Sequence, residues 1–253
     1  MTIAVDVGNS NVVLGIHQND NWANIIRFET RVDYSVEDYI NLVTTEFRKY
    51  KIHIAPRSKV VISSVVPRLS TVFVRVMASF TGSKPILLGS DIYHLLPVVI
   101  PNAKEIGTDL VANALAAWDL FRGNVIVVDF GTALSITSVS EAGKIIGVAI
   151  APGLQTAVDS LFNRTAQLPE VTLTAPGSVL GQDTIHSINA GIVYGYKGLV
   201  EELVARTKAE INGPTSVVAT GGMLHIIEPL TNIFDHTDQN LTLEGLRMAG
   251  KYL

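Results

Sequence analysis

Two aspartates stand in the same short phrase, and both are placed to meet phosphate or metal. Val5-Asp6-Val7-Gly8-Asn9-Ser10 lies near the start, and Val128-Asp129-Phe130-Gly131-Thr132-Ala133 returns in the middle. An apolar run of strand composition leads into each Asp, Ile3-Ala4-Val5 first and Val125-Ile126-Val127-Val128 second. A second strand-like stretch follows each, from Asn11 to Ile16 and from Leu134 to Val139. Strand, Asp-x-Gly-(Asn/Thr), strand reads as a tight hairpin whose Gly bends the backbone and exposes N–H groups. A carboxylate at the end of an apolar strand is costly to bury unless it meets a cation. Magnesium on a nucleotide takes one or two carboxylates and fills its shell with phosphate oxygens and water. Asn9, Ser10 and Asn11 add small polar groups beside the first turn, and Thr132 stands in the frame of Asn9. One such turn is ordinary. Two in matching contexts point to a polyphosphate and its cation held between two related halves.

Two other places could carry chemistry. In Glu105-Ile106-Gly107-Thr108-Asp109-Leu110, Asp109 falls in the first turn of a helix that Thr108 can cap. From spacing alone an acid at a helix start is the simpler reading, because the helix dipole favours it there. The other reading is a base, since an ionised Asp beside an alcohol can accept its proton in phosphoryl transfer. Thr220-Gly221-Gly222 follows an apolar strand. It reads first as a tight strand–helix turn, and second as a place where a ligand approaches the backbone. There is no P-loop, no Rossmann glycine motif, no Gly-x-Ser-x-Gly elbow and no pair of the six histidines at metal-ligand spacing.

These groups need elements to position them. The pattern predicts a hairpin over Ile3–Ile16, a third strand at Phe28–Thr30 and a helix opened by Ser35 with Glu37 and Asp38 in its first turn. A strand follows at Lys59–Val66, then a helix from Pro67 to Gly82, a short strand at Ile86–Leu88 and a helix from Thr108 to Gly123. The second half repeats the plan. Its hairpin covers Val125–Val139, its third strand Ile145–Ile150, and Pro152-Gly153 precedes a helix through Val158 and Phe162. A loop rich in Pro, Gly and Thr leads to a long helix through Ile188 and Leu203, a strand at Thr215–Thr220 and a final helix from Leu243. An α/β plan given twice in 253 residues implies two domains.

The composition is consistent with this. The chain is 47% hydrophobic and 17% charged, enough apolar material for two cores. A net charge of −4 leaves no electrostatic footprint for nucleic acid. The absence of cysteine excludes disulfides, thiolate catalysis and Cys-zinc sites, and fits a reducing compartment. Met1-Thr2-Ile3-Ala4 runs into a strand without the pattern of a signal peptide, and no apolar run reaches transmembrane length.

Over essentially its whole length the sequence resembles the type III pantothenate kinases, in the superfamily of acetate and sugar kinases, heat-shock ATPases and actin. Asp6-Val7-Gly8-Asn9-Ser10-Asn11 is similar to the family's first phosphate motif and Asp129-Phe130-Gly131-Thr132 to its second. Ala151-Pro152-Gly153 with the stretch from Leu161 to Pro169 resembles the middle signature. Gly191-Ile192-Val193-Tyr194-Gly195-Tyr196 resembles the long helix, Ala219-Thr220-Gly221-Gly222 the adenosine motif, and Leu241 to Arg247 the C-terminal signature.

The resemblance implies an α/β fold of duplicated ribonuclease H-like, or actin-like ATPase, domains with an interdomain nucleotide cleft. The first domain is expected over residues 1–118 and the second over 119–253, with the last helix free to pack back on the first. The implied reaction is ATP-dependent phosphorylation of pantothenate, the first step of coenzyme A biosynthesis. Asp109 is implied as general base. Asp6, Val7, Gly8, Asn9, Ser10, Asn11, Val12, Val13 and Thr132 would hold the ATP phosphates, and Gly221 and Gly222 the adenosine. Mg²⁺ would lie at Asp6, and a monovalent cation, K⁺ or NH₄⁺, at Asp129. Gly107, Thr108, Asp109, Leu110, Thr184 and Ile100 would line the pantothenate site. The implied protein is a cytoplasmic homodimer with no nucleic-acid or membrane partner, its substrate site near the subunit interface. Two positions depart from the family pattern. Leu110 stands where the family has an Arg suited to a carboxylate, and Ile100 where it has a substrate-contacting Tyr. A same-fold kinase acting on another small alcohol, or a weakened ATP-binding homologue with a regulatory role, stays open beside the main reading.

Overall fold

Branched apolar residues alternating along a strand bury one face, and here that alternation builds two sheets. The computed structural model describes residues 1–165 and 168–253; Ala166 and Gln167 of the middle signature lie outside the described residues. The chain divides into one unit of residues 1–116 with 241–253, and another of residues 117–240.

In the first unit, β1 (Thr2–Val7) pairs antiparallel with β2 (Asn11–Gln18), which pairs with β3 (Asn21–Glu29). On its other side β1 pairs parallel with β4 (Lys59–Ser64), and β4 with β5 (Ile86–Leu87). Ile3, Val5, Leu14 and Ile62 face a core closed by Tyr39, Val43 and Phe47 of α1 (Val36–Lys49) and Leu69, Phe73 and Val76 of α2 (Pro67–Thr81). Local chemistry sets these helix ends. Ser35 Oγ accepts from Asp38 N at 3.2 Å while Asp38 Oδ2 accepts from Ser35 N at 2.8 Å, a complete capping box. Pro67 fills the first position of α2, and Gly82 ends it at φ 66°.

The opposite face of this sheet takes α7 (Leu241–Tyr252), whose C-terminal turn is held by Lys59 Nζ donating to Gly250 O at 2.6 Å. Helix α3 (Thr108–Phe121) meets α7 through small residues. Thr242 Oγ1 donates to Asn113 Oδ1 at 2.8 Å, and a Cβ on Gly245 would overlap the carbonyl of Ala112. The C-terminal signature thus seats the helix that begins beside Asp109. Gly245→Ala has no room to relax because its obstacle is backbone. It is expected to lower stability by about 3 kcal/mol, read from the urea midpoint.

The second unit repeats the strand order. The first sheet runs β3-β2-β1-β4-β5, and the second, from β6 (Asn124–Phe130), β7 (Ala133–Val139), β8 (Ile145–Pro152), β9 (Thr215–Thr220) and β10 (His236–Thr237), runs β8-β7-β6-β9-β10. Ile126, Val128, Leu134, Ile136 and Val217 pack with Leu154 and Val158 of α4 (Leu154–Arg164) and with Val193 and Val200 of α5 (Thr184–Glu210). Gly221-Gly222 leads to a single helical turn, α6 (Leu224–Ile227).

The structure alters some expectations. The third strand of the first unit is longer than Phe28–Thr30, because an edge strand can carry Asn21, Asn24 and Arg27 on or near its solvent face. Asn19 and Asp20, with φ of 52° and 60°, supply the two-residue turn that starts it. The two Asp hairpins also differ in length. Val7 pairs with Val12 in the first and Phe130 with Leu134 in the second, so the second loop is one residue shorter. Neither Gly8 nor Gly131 has a positive φ. What they lack is space: a Cβ would lie 3.1 Å from Asn11 O at Gly8 and 3.3 Å from Ala133 O at Gly131.

Candidate active site

Asp6 and Asp129 occupy equivalent places, near the carboxyl end of the central strand of each sheet. That edge is where open α/β sheets bind ligands. Parallel pairing sets a buried hydroxyl residue across from each, Ser63 opposite Asp6 and Thr220 opposite Asp129. The repeat therefore extends beyond the phrase visible in the sequence. It appears only when the parallel register is known, since Ser63 and Thr220 lie far along the chain from their aspartates.

Each loop is also tied from behind by a threonine beyond the third strand. Thr30 Oγ1 donates to Gly8 O at 2.7 Å, and Thr156 Oγ1 to Thr132 O at 2.7 Å. Thr30 N adds a bond to Ser10 O at 3.0 Å, and Gly153 N one to Thr132 O at 3.0 Å. These ties occupy carbonyl oxygens, the groups that would repel a phosphate, and hold each loop in one shape. Val7, Val12 and Val13 bury their side chains, so backbone is what they can offer a ligand, while Asn9 and Ser10 are exposed.

In the second unit, Gly221 closes tightly on the Asp129 hairpin. Its φ is 101°, and a Cβ there would stand 2.5 Å from Phe130 N and 2.6 Å from Asp129 Oδ1. Met223 N donates to Phe130 O at 3.2 Å, which fixes the turn holding Gly222 to the end of β6. Among the described residues no cluster of three or more His, Cys, Asp or Glu could form a protein-only metal cage. One carboxylate at each strand end instead suits a cation that takes its remaining ligands from phosphate and water.

Gly107 to Leu110 lie together at the start of α3, in the same unit as Asp6. The sequence favoured Thr108 as a cap, but it is the first helical residue, and Val111 N bonds to Gly107 O at 3.2 Å instead. The Thr108 hydroxyl turns to β4, accepting from Ser64 N at 3.0 Å and pairing with Ser63 Oγ at 2.8 Å. Asp109 Oδ1 accepts from Leu110 N at 2.8 Å. A Cβ on Gly107 would overlap that same oxygen, so a larger residue there would displace the Asp109 carboxylate. Loss of water around the Asp109 carboxyl raises its pKa more than the backbone N–H groups of Leu110 and Asp109 lower it.

A residue that the sequence reading missed shares this environment. Tyr93 is buried in a short turn after β5, and its phenol is pushed up to about 12 by burial first and then by the charges of Asp109 and Asp91. Ile100 lies between that turn and α3 and is half-buried. Thr184 is in the second unit, first residue of α5, behind the cap in which His186 N donates to Asp183 Oδ1 at 2.8 Å. It borders an open groove of about 570 Å³ lined by Leu161, Asp183, Ser187, Ile188 and Ile192.

Two α/β units of one strand order, each ending its central strand in an Asp hairpin, define the fold of the actin-like ATPases and sugar kinases. A structure of an inorganic polyphosphate/ATP-glucomannokinase from Arthrobacter sp. strain KM shares this fold. Its TM-score is 0.53 at 13% identity, over 99% of this chain and 98% of that one. The family model for type III pantothenate kinase matches residues 2–206. A type III pantothenate kinase of Geobacter sulfurreducens is 38% identical over 248 residues, 98% of this chain and 97% of the relative. One from Syntrophobacter fumaroxidans is 39% identical over 249 residues, 98% of this chain and 96% of the relative. The chain belongs to the type III pantothenate kinase family. Kinases of this family use ATP and a divalent metal.

Proposed function

We propose that the chain transfers the γ-phosphoryl group of ATP to the hydroxyl of pantothenate, the opening step of coenzyme A biosynthesis, with Asp109 as general base. The observation that supports it most is the crowded carboxyl of Asp109 at the start of α3, in one unit with the Asp6 hairpin. The hydroxyl oxygen forms a bond to the γ-phosphorus, the bond to the β–γ bridging oxygen breaks, and ADP leaves. Asp109 accepts the hydroxyl proton and returns it to solvent. Residues 6 to 13 in the first unit and Thr132 in the second hold phosphate oxygens, and Gly221 and Gly222 give the adenosine close approach to backbone. A divalent cation at Asp6 would neutralise phosphate charge when bound, and Asp129 would take the monovalent ion.

Gly107, Leu110, Ile100 and Thr184, with the backbone of Thr108, are placed on the acceptor side in the same proposal. The homodimer is supported by the edge strand β8, which exposes Ile146, Val148 and Ile150 on one face. Sedimentation at micromolar concentration tests it, and a monomer would remove it. Among the described residues no helix is long and apolar enough to cross a membrane. Cytoplasmic placement, without nucleic-acid or membrane partners, is proposed on the family's metabolic role and is checked by cell fractionation. The reaction itself is tested by the mass of the product. Pantothenate incubated with protein, ATP, Mg²⁺ and K⁺ should gain one phosphoryl group, and bound ATP with unmodified pantothenate would overturn the assignment.

Leu110 gives a sharper test of the acceptor. It is half-buried and next to the base, where an Arg would offer two parallel donors to the pantothenate carboxylate. Leu110→Arg is expected to lower the KM for pantothenate about tenfold or more, with the KM for ATP unmoved. An unchanged pantothenate KM would mean that another group holds the carboxylate.

A further inference from the structure

Asp109 Oδ1 accepts from the adjacent Leu110 N–H at 2.8 Å, so the base can be no better placed than the helix start that carries it. That start is tied to the sheet through the Thr108 hydroxyl. Thr108 Oγ1 accepts from Ser64 N at 3.0 Å and pairs with Ser63 Oγ at 2.8 Å. Ser63 is fully buried and stands opposite Asp6 in the parallel ladder. A continuous chain of contacts thus runs from the strand of the first phosphate hairpin, through Ser63 and Thr108, to Asp109. The resemblance places Thr108 against substrate, but its hydroxyl is engaged on the strand side.

We propose that Thr108 is a positioning residue for phosphoryl transfer, its hydroxyl setting the distance between the base and the phosphate-binding strand. This rests on the reading of Asp109 as the base. Displacing a reacting group by about an ångström costs on the order of a hundredfold in rate. Thr108→Val keeps the shape and removes the hydroxyl. It leaves the Ser64 N–H and the Ser63 hydroxyl without their partner, so the first turn of α3 can drift.

Steady-state kinetics on the full chain separates the roles. Thr108→Val should lower kcat by about tenfold to a hundredfold, with the KM for pantothenate within about twofold of the parent. Thr108→Ser should restore kcat to within about threefold, which a purely steric role would not require. Ser63→Ala should fall between, and the double variant Thr108→Val with Ser63→Ala should be no slower than Thr108→Val alone. A raised KM at constant kcat would make Thr108 a substrate contact and overturn the proposal, as would an unchanged kcat. If Thr108→Val fails to fold, Thr108→Ser and Ser63→Ala still decide: a Ser63→Ala kcat equal to the parent's, or a Thr108→Ser that raises the pantothenate KM at constant kcat, overturns the proposal. Asp109→Asn, measured in parallel, separates the two levels. Full turnover there defeats the base assignment, whereas a dead Asp109→Asn beside a normal Thr108→Val defeats this inference alone.

Discussion

Asp109→Asn should lower kcat by about 10² to 10⁴-fold, the range supplied by one general base, and should at the same time make the protein more stable. Both effects follow from the setting of the carboxyl. Burial raises its pKa, so the folded chain binds that proton more tightly than the unfolded chain, in which the ordinary value of 3.8 applies. The protonated form therefore favours folding. That contribution is complete below the unfolded value and is lost as pH rises through the folded one. Above the folded value the group is ionised and its lost hydration works against the fold. Asn has nearly the same shape without the charge. Its melting temperature should rise by about 2–4 °C, the response of a chain of this size to about 1 kcal/mol. The acid limb of the kcat profile should lie above the ordinary carboxylate range in the parent. An Asn variant that is fully active, or that is less stable at neutral pH, would contradict this reading.

Gly221→Ala is expected to cost about 2–4 kcal/mol of stability. Its φ of 101° is strained for any residue with a Cβ. The new carbon would also stand 2.5 Å from Phe130 N and 2.6 Å from Asp129 Oδ1. Relief must come from moving either the end of β6 or the carboxylate proposed to hold the monovalent cation. Activation by K⁺ should therefore weaken, with the half-activating concentration rising about tenfold or more if a close oxygen ligand is displaced. Gly198→Ala in α5 is the control. Nothing lies within 4 Å of its Cβ position, and alanine suits a helix interior, so stability should hold or rise. Chemical denaturation with a potassium titration reads both. Equal stability of Gly221→Ala and the parent would show that the turn is not constrained as described.

The sequence yielded most where structure is decided locally. The Ser35–Asp38 box, Pro67 and Gly82 marked the ends of α1 and α2 because capping needs neighbours only a few residues away. The Asp hairpins were legible as a repeat for the same reason. Their glycines were legible as required but not for the right cause, since crowding by the Asn11 and Ala133 carbonyls depends on the folded loop. Long-range pairing was the hidden part. β10 is two residues long and exists through its parallel pairing with Val218 and Ala219. Ser63 and Thr220 were set across from Asp6 and Asp129 by register, and Tyr93 was brought under the charge of Asp109 by packing. Thr108 was legible as a helix-start residue, but the direction of its hydroxyl was decided by the end of β4.

By the sequence resemblance Leu110 stands where an Arg is expected, on the proposed acceptor side. The Asp6 and Asp129 hairpins are proposed to hold ATP and not the acceptor, so turnover of ATP by itself says little about the substrate. The direct test is ADP release in Mg²⁺ and K⁺, with and without pantothenate, for the parent chain and Asp109→Asn side by side. ADP release by the parent should depend on pantothenate, with one phosphorylated pantothenate per ADP, and should fall to near background in Asp109→Asn. Release that ignores pantothenate, or that survives the loss of the Asp109 carboxylate, would contradict the assignment of this chain as a pantothenate kinase working through that base.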